Sequence, residues 1–201
     1  MRRRGVTLIE VLVGATLFLL VTALTFGYLI PATKAANRAR VKSHLQQTAT
    51  VVLAQIKEAS TTTSPAGFSW SMTEVPAVAF NAVESLQSSN GILRWSPVYE
   101  LFWWDSTSET VWTAEFEATL PEEATVLRAK RMTPDRLREV VAASTLNRAM
   151  AKGVTAFTVS HGGDEGALIQ PVTVTLTIQE PGFSDSPVVD RSLTFRMVNQ
   201  Q

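Results

Sequence analysis

Of the residues able to do chemistry, Glu10 has the least ordinary setting. Leu8 and Ile9 precede it, Val11 to Val13 follow it, and no charge appears from Val11 to Ile30. A carboxylate at mid-bilayer costs about 2.5–3.5 kcal/mol on insertion scales. Glu10 stands near the edge of the apolar run, where the cost is smaller but remains unfavourable until the charge is paired or reaches the interface. Other candidates are weaker. The histidines are His44 and His161 and there is no cysteine, so a zinc site or a thiol nucleophile has nothing to build on. Ser160, His161 and Asp164 supply the residue types of a hydrolytic triad, but neighbours at a strand end do not converge on one point. Asp164 and Glu165, with backbone carbonyls, have the oxygen chemistry of a calcium site, yet a lone acidic turn is ordinarily just a turn. No catalytic set, metal site or cofactor is expected, and the chain does not read as an enzyme.

The flanks define the element that carries Glu10. Arg2, Arg3 and Arg4 precede Gly5, and the uncharged run from Val11 to Ile30 spans about 30 Å as a helix, the thickness of a bilayer core. A secretory signal would place small residues at a cleavage site after its apolar region; here the glycine comes before it. The stretch Arg4-Gly5-Val6-Thr7-Leu8-Ile9-Glu10-Val11-Leu12 resembles the type III signal of type IV pilins and type II secretion pseudopilins. That resemblance implies a prepilin peptidase that cuts after Gly5 and methylates the new amine on Val6, so that Glu10 becomes the fifth residue of the mature chain. Val6 departs from the family's usual phenylalanine, and the family tolerates other apolar residues there.

The same resemblance implies partners. These are other pilin or pseudopilin subunits, the peptidase and an inner-membrane assembly platform, with nucleic acid reached only through an assembled pilus. Glu10 would meet the freed amine of a neighbouring subunit, and an ion pair in lipid would fix axial register because any other stacking leaves a charge unsatisfied. The leader arginines and the positive-inside tendency place the N-terminus in the cytoplasm and the C-terminal head outside, against the weaker pull of Lys34, Arg38, Arg40 and Lys42. The product would be a single-pass inner-membrane protein that enters a surface pilus or a periplasmic pseudopilus. The run Gly153 to Val159, a glycine turn and two further strands are similar to minor subunits of the W and J types. Glu10 argues against a K-type tip subunit, which often lacks it. The competing reading is a membrane-tethered ligand-binding domain that never assembles.

Composition agrees with one anchored domain. Of 201 residues, 45% are hydrophobic and 18% charged. Removing Arg2 to Arg4 leaves 15 basic against 18 acidic residues, which argues against a general nucleic-acid surface. Gly27 and Pro31 are expected to bend or melt the helix as it leaves the bilayer. Beyond them, Leu45, Ala49, Val52, Leu53, Ile56 and Ala59 form one helical stripe, and Ser60 to Pro65 should stop the helix as a polar linker. Ala32 to Arg40 reads as a solvated stalk, or as a contact face for lipid headgroups or acidic neighbours.

The remainder alternates with the period of strands at Trp112 to Leu120, Val172 to Ile178 and Leu193 to Met197, with further strands over Val98 to Trp104 and Val154 to Ser160. Thr133-Pro134-Asp135 opens either a short helix to about Met150 or a strand and loop. Trp103 and Trp104 should point to opposite faces, leaving one exposed or covered by a partner. The expectation is α+β: a leader over 1–5, a transmembrane helix over 6–31, its amphipathic continuation over 32–59, and a β-rich head over 60–201.

Overall fold

The computed structural model describes residues 7–72, 75–87, 92–117, 131–144, 147–163, 168–180 and 186–197. Its α+β architecture is a long N-terminal helix, α1 (Leu8–Thr61), followed by antiparallel sheets. The chain forms two compact units, Met1–Val41 and Lys42–Gln201.

In the first unit α1 is long and apolar enough to cross a membrane, with a mean hydropathy of 2.2 over its most apolar window and none of that window buried. Backbone groups of a helix in lipid must be satisfied within it. The hydroxyls of Thr16 and Thr25 follow that rule by donating to the carbonyls of Leu12 and Val21. Pro31 has no N–H to offer the carbonyl of Gly27, four residues back, yet α1 stays α-helical through both residues instead of melting there.

The second unit contains the C-terminal part of α1, whose buried residues are Leu45, Ala49, Val52, Leu53, Ile56, Ala59 and Ser60. The expected linker after it is not one. Ser60, Thr61, Thr62 and Thr63 turn their hydroxyls back onto the carbonyls of Lys57, Glu58 and Ala59, satisfying the helix's last acceptors. The chain then enters strand β1 (Thr63–Ser71) almost at once.

Strands β1, β2 (Ala77–Gln87), β3 (Ile92–Asp105), β4 (Thr110–Glu117) and β5 (Arg148–Lys152) form one sheet in that order; β6 (Val154–Ser160), β7 (Val172–Ile178) and β8 (Val189–Phe195) form a second. All neighbouring strands are antiparallel. On one face of the first sheet, Ala77, Ala79, Tyr99, Leu101, Trp103 and Ala114 pack with Met132, Leu137 and Val140. The last two belong to α2 (Pro134–Ala143), which opens as expected with Pro134 in its first turn and Thr133 as N-cap, its Oγ1 accepting from Arg136 N at 3.3 Å. Phe68, Phe80 and Phe102 form an aromatic chain that reaches Phe195 of the second sheet, with centroids 5.2–6.2 Å apart.

A further expectation is corrected. The helix from Thr133 ends at Ala143 and not near Met150, because Arg148–Lys152 pairs with β4 and buries Ala151. Trp103 is buried while Trp104, on the opposite face, is half-buried, its Nε1 donating to the carbonyl of Val154 at 2.8 Å. That bond lies at the corner where the chain leaves one sheet for the other. Gly153 makes the corner with φ of 72°, a left-handed conformation that a side chain would strain.

Candidate functional site

Gly5 and Val6 lie outside the described residues, as do Asp164 and Glu165. Glu10 is within them, in the first turn of α1. Thr7 N and Thr7 Oγ1 both donate to Glu10 Oε2, at 3.0 and 3.1 Å, and Glu10 N donates back to Thr7 Oγ1 at 3.4 Å. This is a reciprocal capping box, with Thr7 as the cap and Glu10 three residues later. It satisfies donors that the first turn of any helix leaves unpaired, a need that is sharper in lipid. Only Oε2 is used; Oε1 accepts no hydrogen bond among the described residues. The Thr-x-x-Glu spacing was visible in the sequence, but the apolar setting of Glu10 drew attention to its charge instead of to the cap.

The other candidates do not assemble. His44 is exposed on α1, far along the chain from any partner for chemistry. His161 stands edge-on to the ring of Trp70, with centroids 4.6 Å apart, while its Nδ1 accepts from Gly163 N at 3.1 Å. Ser160 Oγ turns to the carbonyl of Thr173. These contacts lock the pair into the head's surface instead of pointing them at each other. Trp70 also carries Arg131 over its ring, 4.4 Å from the centroid, and Arg131 Nε donates to Phe68 O at 3.2 Å. Burial lowers the pKa of that guanidinium. Among the described residues no group of three or more His, Cys, Asp or Glu side chains is placed to hold a metal.

The sequence did not reveal a groove of about 550 Å³ lined by Val98, Glu100, Thr113, Ala114, Glu115, Glu117 and Arg148. Cross-strand pairing makes it: Glu100 faces Glu115 and Thr113 faces Arg148. Arg148 reaches Gln55 of α1 at 3.2 Å. Burial, reinforced by the charges of Glu115 and Glu58 and opposed by Arg148, pushes the Glu100 carboxyl above its ordinary pKa. The only advance signal was the alternation of Glu115 and Glu117 with apolar residues, which marks a wet sheet face but not what lies across it.

No curated protein and no solved structure matches the chain. The family model of the prokaryotic N-terminal methylation motif matches residues 1–26, the leader, the capping box and most of the apolar run. The motif supports a precursor of the type IV pilin-like or pseudopilin kind, and with the apolar helix that carries it fits a membrane-anchored protein.

Proposed function

We propose that this chain is a minor pilin or pseudopilin, cleaved after Gly5 by a prepilin peptidase, methylated on Val6 and assembled through Glu10 into a pilus, competence pilus or type II secretion pseudopilus. The observation that carries the reading is the methylation motif over residues 1–26, continuous with a helix able to span a membrane. In this reading the N-terminus begins in the cytoplasm and the head outside. The run from Gly153 into β6, followed by β7 and β8, favours a minor subunit of the W or J type over a major one.

The capping box explains how one carboxylate serves two needs. Cleavage after Gly5 leaves Thr7 and its amide in place, so Oε2 continues to cap α1 while Oε1 accepts from a neighbouring subunit's terminal amine. Glutamine also suits the third position of a capping box but carries no charge. Glu10→Gln should therefore insert, be cleaved and be lost from filaments, as Glu10→Ala should be. Co-purification of Glu10→Gln with filament subunits at the native level, with Glu10→Ala excluded, would show that the cap matters and the charge does not.

A further inference from the structure

From Val11 through Lys57 the chain has no acidic residue, while Lys34, Arg38, Arg40 and Lys42 fall close together inside that stretch. All four side chains are exposed, and no ion pair among the described residues involves them. At 3.6 residues per turn, Lys34, Arg38 and Lys42 follow one another along a single face of α1, and Arg40 lies on another. Like charges four residues apart repel and weaken a helix. Nothing on α1 offsets this repulsion, since the nearest acids along the chain are Glu10, beyond the apolar run, and Glu58.

The place of the stripe says what does. Ile30 ends the uncharged run, so at 1.5 Å per residue Lys34 stands about 6 Å beyond it, Arg38 about 12 Å and Lys42 about 18 Å, the last beyond the reach of its stem to the headgroup layer. The headgroup layer of a leaflet is about 5–7 Å deep. Helical side chains lean toward the helix N-terminus, here toward the bilayer, and the long stems of Lys and Arg extend their charges along that direction. We propose that Lys34 and Arg38, both in the first unit, form a binding stripe for anionic phospholipid headgroups of the leaflet that the C-terminal end of the span reaches. The inference rests on the membrane-spanning reading of α1. By holding lipid phosphates along one face, the stripe fixes both the depth and the rotation of the helix before assembly.

The test reconstitutes the full chain in bilayers of phosphatidylcholine containing a minority of phosphatidylglycerol and weighs, by native mass spectrometry, the lipids that stay bound on release. One cation near an anionic surface corresponds to about a fivefold preference. The native chain should retain phosphatidylglycerol at least about fivefold above its bulk share, and Lys34→Gln/Arg38→Gln should retain it near the bulk share. Equal retention of both lipids by the native chain, or unchanged enrichment in the double variant, overturns the stripe. Release of the chain from pure phosphatidylcholine bilayers by alkaline carbonate would overturn the membrane reading itself, whereas retention there without phosphatidylglycerol enrichment overturns the stripe alone.

Discussion

Among the described residues Gly67 is the tightest glycine in the head, and adding one methyl there tests the packing of β1 on β2. A Cβ on Gly67 would stand 2.6 Å from the carbonyl oxygen of Asn81 and 2.7 Å from Cζ3 of Trp95, where ordinary contact begins near 3.4 Å. Relief requires an opening of about 0.8 Å, and a gap of that size elsewhere forfeits a quarter to a half of a dispersion well. Neither neighbour yields easily. Asn81 is fixed by its Nδ2, which donates to Ser96 O at 2.7 Å, and Trp95 is 6% exposed. Gly67 lies at the irregularity between the Thr63 and Phe68 pairings and does not use the left-handed backbone conformation, so the penalty for Gly67→Ala is steric. Overpacking costs about 1–3 kcal/mol and the stiffer unfolded chain returns about 0.4–1 kcal/mol, for a net loss of about 1–2 kcal/mol. For a domain of this size that lowers the melting midpoint by about 2–8 °C. The assay is thermal unfolding of the full chain in detergent, followed by tryptophan emission, since Trp70, Trp95, Trp103, Trp104 and Trp112 all lie in the second unit. Gly14→Ala and Gly27→Ala, whose added methyl would meet nothing within 4 Å, should leave that midpoint unchanged. A Gly67→Ala chain that melts with or above the native one refutes the close approach.

Other consequences follow from single contacts. Trp104→Phe keeps an aromatic ring but loses the indole's pyrrole half with its bond to Val154 O at the corner between sheets, which should cost at least about 1 kcal/mol and lower the same midpoint by at least about 2–4 °C; an unchanged midpoint would remove the corner bond from the account. Folded Glu100 holds its proton more tightly than the unfolded chain does, because burial comes first among the causes and Glu115 and Glu58 add to it. Its contribution to stability is therefore full below the ordinary carboxylate range and lost as pH rises through the window just above it. Glu100→Gln should flatten stability across that window and raise it at neutral pH, and a pH profile parallel to that of the native chain would contradict the assignment.

Legibility in the sequence tracked how local each signal was. The buried stripe from Leu45 to Ala59 could be read residue by residue, because one face of a helix repeats within a few positions. Strands β6 and β7 were equally plain, their Val, Leu and Phe residues turning inward against outward Thr and Ser. β1 was opaque because most of it is buried on both faces, so Ser69, Trp70 and Ser71 show no alternation. β5 is short, and its placement comes from pairing with β4, so a helical continuation from α2 looked as reasonable. The methylation signal was contiguous and could be read outright, and the capping box was written in the same few residues. The acidic groove could not be read, since Glu100, Glu115 and Arg148 meet only through strand register.

The central claim is that the leader is removed to expose a terminal amine for Glu10 to meet in another subunit. Its most direct test is the intact mass of the protein isolated from host cells that carry the prepilin peptidase and from cells that lack it. The account predicts a chain beginning at Val6 with one added methyl group in the first case and the full chain from Met1 in the second. A chain that keeps Arg2, Arg3 and Arg4 where the peptidase is active would contradict it.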